Sequence, residues 1–230
     1  MKNLFYILTC AIATLISCSE FLEERPEKSL ATPDNLQDLQ ALLDYENSLN
    51  MGYPAAGEIA ADYFFLSEAD WQSRDIDARD TYIWAENAQN EIDWSNAYQR
   101  IFQCNVVLDA VDDAALGNMT EMDRQQIRGS ALFFRAFSYF QLSQLYCPFY
   151  HLGMQDVEFG LPLKLQSDIN EPIIRSSLKD TYAQVFSDLE KAAELLSATS
   201  SLPMRPSRAA AYGLLARLYL IVGNNDEALL

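Results

Sequence analysis

Apolar side chains recur at helical spacing along most of the chain, and no segment shows the strict alternation of a half-buried strand. A first helix is expected from residue 33, with Leu36, Leu39, Leu42 and Leu43 on its inward face. The same spacing predicts longer helices over residues 92–111, 121–146, 177–196 and 207–222. The pattern as a whole therefore predicts an all-α fold.

Local signals set the ends of these helices. Thr32 is the expected N-cap of the first helix, with Pro33 at its first helical position. Pro148 should end the helix over residues 121–146, because proline lacks the backbone N–H and crowds the preceding turn. Ser176 or Ser177 should cap the next long helix.

Two irregular segments interrupt the helical pattern. Residues 58–91 are rich in aromatic and acidic side chains without a clear period, which predicts loops mixed with short helices. Residues 151–175 form a long connection containing glycines and prolines. Long connections inside a compact domain are often functional, so both segments are candidates for binding.

The last segment carries a repeat-like pattern. Its residues are Tyr212, Leu215, Ala216, Tyr219, Gly223 and Ala228. Their spacing resembles a tetratricopeptide repeat, whose two helices pack through small residues and turn at a glycine. A generic helical hairpin is the alternative. Since the second helix would only begin near residue 226, we expect residues 1–230 to be the N-terminal part of a longer protein.

The N-terminus has the parts of a bacterial lipoprotein signal. A short basic start precedes an apolar run over residues 4–16, and Ser17 then Cys18 follow. We expect residues 1–17 to be the signal peptide, Cys18 to be the lipid attachment site and residues 18–31 to be an extended tether. The apolar run is shorter than the roughly 20 residues of a bilayer span. An ordinary cleaved signal is the alternative.

Composition excludes several function classes. With 33 acidic and 16 basic residues the net charge is −17, which argues against nucleic acid and against docking on anionic lipid. His151 is the only histidine, so neither a transition-metal site nor a histidine-activated nucleophile is expected. We expect no cofactor and no catalytic residue. Cys104 and Cys147 are expected as buried free thiols, although an exported location would permit a disulfide.

A series of motifs follows in order along the chain. Their positions are 18–26, Trp94, Tyr98, Ile101, Asn105, Val107, Leu108, Asp109, Gly129, Leu132, Arg135, Ala136, Tyr139, Phe140, 160–163, Asp188, Leu189, Ala192 and 209–220. Together these motifs resemble the SusD/RagB family of nutrient-uptake lipoproteins of Bacteroidetes outer membranes. Each motif is weak alone. Their order, together with the lipoprotein signal, makes the resemblance specific over nearly the whole mature chain.

The resemblance implies a superhelix of tetratricopeptide-like hairpins, with residues 32–230 as a SusD-like N-terminal domain packed against a loop-rich second half. It implies a lipid-anchored place on the outer face of the outer membrane. The implied partner is a SusC/RagA-like TonB-dependent β-barrel, over which the lipoprotein acts as a hinged lid. The implied ligand is a glycan or, in some members, a peptide.

The candidate ligand residues are Asp62, Tyr63, Phe64, Phe65 and Trp71. Sugars present both C–H faces and hydroxyls, so flat aromatic rings beside polar groups suit them. The assignment rests on the segment's place in the family, and the alternative is that these aromatic rings pack in the core. Trp84, Trp94 and Tyr98 are expected in the core.

Two other functions stay open at this stage. A periplasm-facing helical-repeat scaffold that binds another protein would need regular repeats without the excursion over residues 151–175. A lipid-anchored glycoside hydrolase would need a pair of carboxyl groups, and no acidic pair in the sequence has a pattern beyond that of a solvated face.

Overall fold

The structure is a computed structural model that describes residues 33–86, 88, 91–150, 156, 159–200 and 202–229. The predicted signal peptide, Cys18, the tether, Thr32 and His151 lie outside these residues. Residues from Asp34 onward form one compact unit. Within the described ranges, no helix combines the length and the apolar character that a membrane crossing requires.

Nine α-helices dominate the described residues, which confirms the all-α prediction. They are α1 (Leu36–Leu43), α2 (Glu46–Leu49), α3 (Ala56–Ile59), α4 (Glu68–Gln72), α5 (Ile76–Tyr82), α6 (Glu91–Ala110), α7 (Glu121–Tyr146), α8 (Leu178–Leu195) and α9 (Arg208–Ile221). Two short strands that the sequence did not predict, β1 (Phe159–Pro162) and β2 (Arg175–Ser177), pair antiparallel inside the connection between α7 and α8.

The predicted start of the first helix is wrong by three residues. The helix begins at Leu36, and Asn35 is its N-cap, with its side-chain oxygen accepting from the backbone N–H of Asp38 at 3.0 Å. The helix begins later than predicted because of a tertiary contact. Asp34 and Leu36 exchange backbone hydrogen bonds with Ala115 at 2.8 and 3.0 Å, which keeps the preceding backbone extended.

Two other helix ends follow the predicted signals. α7 ends at Tyr146, two residues before Pro148, and Ser177 caps α8 by accepting from a backbone N–H three residues later. Two further caps were not predicted: Thr120 and Asp123 form a reciprocal capping box at the start of α7, and Ser207 caps α9.

The core consists of two apolar clusters on either side of α7. One joins α6, α7, α8, α9 and β1, and it includes the fully buried Tyr139 and Phe140. The other joins α1, α6 and α7 around Leu36 and Leu39. Trp94 and Tyr98 pack against the first cluster with ring centroids 4.8 Å apart, so their predicted core position is confirmed.

The repeat-like residues join α8 to α9. Tyr219 of α9 contacts Phe186 of α8 with ring centroids 4.9 Å apart. Gly223 has a φ of +79° in the turn after α9, a conformation that glycine adopts at low cost. The chain then forms a single 3₁₀ turn at Glu227–Leu229, where the sequence predicts the start of a second helix.

A buried ion pair links the long helices. Arg135 on α7 donates from Nε and Nη2 to the two carboxylate oxygens of Asp188 on α8, both at 2.8 Å, and from Nη1 to Asn105 Oδ1 on α6 at 2.9 Å. Burial lowers the pKa of Arg135, but the hydrogen bonds and charge of Asp188 outweigh burial and leave that pKa raised. Three helices are therefore joined through one guanidinium group.

Both described cysteines are free, as predicted. Cys104 is fully buried, and burial raises the pKa of its thiol to about 12, an effect that the nearby positive charge of Arg135 partly opposes. Cys147 is half-buried at the end of α7, and burial also raises its pKa.

We expect Asp188→Asn to lower the free energy of unfolding by about 3–5 kcal/mol, because it leaves the buried charge of Arg135 without its counter-ion. Urea unfolding would measure the change. Asp112→Asn is the matched control, since Asp112 pairs with Arg128 at the surface and exposed pairs contribute about 1 kcal/mol or less. Equal losses in the two variants would contradict the structural role of the buried pair.

Candidate functional site

The candidate ligand residues lie in the loops and short helices of α3 to α5, outside the two core clusters. Phe65 is 86% exposed, Tyr63 is 73% exposed and Phe64 is 38% exposed. Asp62 is exposed and Trp71 is partly buried. The alternative that these rings fill the core is therefore wrong for Tyr63 and Phe65, while ligand contact at all five residues stays a prediction.

Contacts within the segment bring several of these rings together. Tyr63 and Phe64 meet edge to face with centroids 5.5 Å apart, and Phe64 lies 5.7 Å from Tyr82 at the end of α5. The hydroxyl of Tyr82 accepts from the backbone N–H of Leu66 at 3.0 Å. Tyr63 donates to Glu58 at 2.6 Å, and this hydrogen bond together with the charge of Glu58 raises the pKa of Tyr63.

Trp71 is fixed against α5 by a separate set of contacts. Ser67 caps α4 by accepting from the backbone N–H of Asp70, which places Trp71 in the second half of that short helix. The indole N–H of Trp71 donates to the carbonyl of Arg79 at 3.1 Å, and the guanidinium of Arg79 lies 5.6 Å from the ring centroid. One face of Trp71 is thus in contact with a cation.

Trp84 contradicts its predicted core position, since it is 75% exposed. It follows the last residues of α5 and has a φ of +56°, the single positive φ among the described non-glycine residues. Ala85 closes the helix end by donating to the carbonyl of Asp80 at 2.8 Å. The indole N–H donates to the carbonyl of Ala60 at 2.8 Å, which holds the ring beside the Tyr63 segment.

Helix ends of this kind normally place glycine at the left-handed position, and a side chain there costs about 1–2 kcal/mol. Sequence reasoning missed Trp84 because it treated a large aromatic residue as core. The sequence signal that could have located Trp84 outside the core is its place at the end of a short helix that has no glycine to close it. We call Tyr63, Phe64, Phe65, Trp71 and Trp84 the aromatic patch.

The patch lies in strongly acidic surroundings. Residues 56–86 contain eight carboxylates and two arginines, a net charge of −6 within a chain of net charge −17. Over the described ranges, no three His, Cys, Asp or Glu side chains come together in a group that could hold a metal ion.

Concave surfaces lie elsewhere on the unit. A cavity of about 350 Å³ is bounded by Tyr53, Phe133, Phe137 and the 202–207 segment. Tyr53 lies between the guanidinium of Arg100 at 3.9 Å and the ring of Phe137 at 4.9 Å, and burial raises its pKa to about 12. A groove of about 290 Å³ lies between α8, α9 and the 3₁₀ turn.

Comparison with protein families gives a match over residues 20–220, to the SusD-like family described as "Starch-binding associating with outer membrane". The match spans most of the chain. The chain belongs to this SusD-like family, and the resemblance inferred from its motifs is confirmed.

Individual relatives agree with the family. The SusD-like protein P2 of Formosa agariphila is 25% identical over 244 aligned residues, which cover 99% of this chain and 45% of that protein. A SusD superfamily protein from Bacteroides thetaiotaomicron has a TM-score of 0.69 at 21% identity, over 84% of this chain and 44% of that one. A laminarin-binding SusD-like protein has a TM-score of 0.65 at 20% identity, over 85% and 42% of the two chains.

These similarities establish the SusD-like fold and its extent. The chain spans about 45% of the length of the curated relative and 38–48% of the length of similar solved structures. Identities near 20% show the shared fold, and they do not transfer a ligand or a partner.

The fold explains why the SusD-like motif residues occur together. Asn105 donates to the carbonyls of Lys164 and Gln166 at 2.9 and 3.1 Å, and Asp109 accepts from the backbone N–H and the hydroxyl of Ser167 at 2.8 and 2.7 Å. The buried hydroxyl of Tyr139 donates to the carbonyl of Lys164 at 2.7 Å. These motif residues fasten the segment after β1 to the long helices, so their role here is structural.

We expect Trp84→Gly to be more stable than Trp84→Ala by about 1 kcal/mol, because only glycine adopts a φ of +56° without strain. Both variants remove the same ring and the same hydrogen bond to Ala60. Their difference in stability therefore reports the backbone conformation at residue 84. Urea unfolding of the two proteins would measure the difference. An alanine variant as stable as the glycine variant would contradict the left-handed conformation.

Proposed function

We propose that this protein is an outer-membrane surface lipoprotein that captures a glycan at the aromatic patch and delivers it to a SusC/RagA-like TonB-dependent transporter. The observation that carries the proposal is the set of exposed aromatic rings in a chain whose family is described as starch-binding. The ligand residues proposed from the sequence are Asp62, Tyr63, Phe64, Phe65 and Trp71, and the structure adds Trp84.

The chemistry of the patch suits a saccharide. Exposed rings offer apolar faces to the C–H surface of a sugar, and exposed aromatic clusters of this kind mark binding surfaces more often than isolated exposed residues do. Asp62 and Glu58 offer carboxylate oxygens that accept hydrogen bonds from sugar hydroxyls. Hydrogen bonds fix Tyr63, Trp71 and Trp84 in place and leave the rings of Tyr63 and Trp84 exposed.

The named relatives support a glycan as the ligand class. One similar structure is that of a laminarin-binding SusD-like protein, and another, with a TM-score of 0.57, is that of a surface glycan-binding protein A from Bacteroides fluxus. These names describe those proteins. They make soluble glycans the first probes for this one.

The proposed location depends on the lipid anchor at Cys18. Two or more acyl chains hold a protein firmly on a membrane, since each buried methylene contributes roughly 0.8 kcal/mol. The family description, which includes association with the outer membrane, supports this location. Delivery to a transporter is proposed from family membership, and an adjacent gene for a TonB-dependent barrel would support it.

The patch can be tested with laminarin first and then with xylan, mannan and pullulan, using isothermal titration. We expect Phe65→Ala to weaken the binding of whichever glycan binds by about tenfold or more, because loss of an exposed contact ring removes binding energy without disturbing the core. Phe159→Ala is the matched control, since Phe159 is also a well-exposed phenylalanine, and it should change affinity less than twofold. Equal affinities in the two variants would place the ligand elsewhere.

The anchor can be tested in cells. We expect Cys18→Ser to lose metabolic labelling with an alkyne fatty acid and to leave the outer-membrane fraction, because serine cannot carry the thioether-linked diacylglycerol. Cys104→Ser is the control and should keep both labelling and location. A Cys18→Ser protein that still labels and sediments with the outer membrane would contradict the proposed attachment site.

A further inference from the structure

We propose that the ligand of the aromatic patch is an uncharged saccharide, and that the carboxylates around the patch reject glycans carrying carboxylate or sulfate groups. This inference rests on the proposed function and narrows its ligand class. It follows from where the negative charge lies relative to the rings.

The acidic residues of the segment are concentrated around the aromatic side chains. Glu58 is hydrogen-bonded to the hydroxyl of Tyr63, and Asp62 is the preceding residue in the chain. Asp70 directly precedes Trp71, and Glu86 follows Trp84 by two positions. One carboxylate is thus bonded to a ring of the patch, and three more lie within two positions of a patch residue in the chain.

Two arginines lie in the same segment, and Arg79 is 5.6 Å from the Trp71 ring centroid, but eight carboxylates outnumber them. In the part of the chain that the structure describes, the ion pairs within 4 Å join other residues and none involves an acidic residue of the 56–86 segment. The acids bond instead to neutral groups, as Glu68 does with Gln72 and Asp75 does with the backbone of Ala78. Their negative charge remains on the surface.

Simple electrostatics then separates two classes of glycan. The screening length is about 8 Å at physiological salt, so an anionic sugar bound on these rings would lie within reach of several uncompensated carboxylates. A neutral sugar avoids this repulsion, and its hydroxyls donate to carboxylate oxygens, which are strong acceptors. The same groups therefore attract one class and repel the other.

A cationic peptide would also be attracted to this charge. We favour the saccharide because the family to which the chain belongs is described as starch-binding. Lysine-rich peptide binding is therefore included as an outcome of the test.

The sharpest test compares one polymer with and without charge. Laminarin and carboxymethylated laminarin, then xylan and mannan against alginate and polygalacturonate, would be titrated into the purified protein. We expect a neutral glycan to bind, and its carboxymethylated derivative, or the uronate polymers, to bind at least tenfold more weakly at 20 mM NaCl. This difference in affinity should be smaller at 0.5 M NaCl, because salt screens the repulsion between the carboxylates and the charged polymer.

Charge variants identify the groups responsible. Asp62→Asn combined with Glu86→Gln should reduce the difference in binding affinity between the neutral and the charged polymers. Glu190→Gln combined with Glu194→Gln is the matched control, since it removes the same charge from α8 and should leave the difference unchanged.

Two results would overturn the inference in different ways. Binding of the charged polymer as tight as that of the neutral one would overturn the ligand class and leave the glycan-binding function standing. Binding of neither kind of polymer, together with binding of a lysine-rich peptide that Phe65→Ala abolishes, would overturn the inference and the proposed function together.

Discussion

The pairing of Arg135 with Asp188 is the interaction on which the arrangement of the long helices depends. It places a guanidinium between α7 and α8, and its remaining donor engages Asn105 on α6. Asn105 in turn holds the carbonyls of the segment after β1. The bidentate geometry is specific to arginine, because lysine cannot offer two parallel donors to one carboxylate. Helix packing and the path of the irregular connection are thus determined together.

The aromatic patch differs from the core in how its side chains are held. Four of its five rings are exposed, Trp71 being partly buried, whereas the core rings Tyr139 and Phe140 are fully buried. Since little apolar area is buried at the patch, changes there should affect recognition more than folding. The long helices hold the two core clusters, and the patch lies outside both of them.

How well the sequence predicts each feature depends on how local its cause is. Helix periodicity and the cap of α8 depend on neighbouring residues, and they were predicted correctly, with Ser177 the cap of the two serines proposed. The start of α1 depends on a bridge to Ala115, far along the chain, so it was missed. Strands of four and three residues are too short to show alternation. Motif positions indicated that Arg135 and Asp188 matter, but their pairing requires the packed helices.

The left-handed backbone at Trp84 has a consequence for the kinetics of recognition. Its ring is oriented by the end of α5 and by the bond to Ala60, so it keeps one direction without being buried. A partner that stacks on it would lose less side-chain entropy than one that must first order a freely rotating ring. Such pre-organisation mainly lengthens residence time and has less effect on the rate of encounter. A ring already fixed in the free protein would thus release more slowly whatever stacks on that indole.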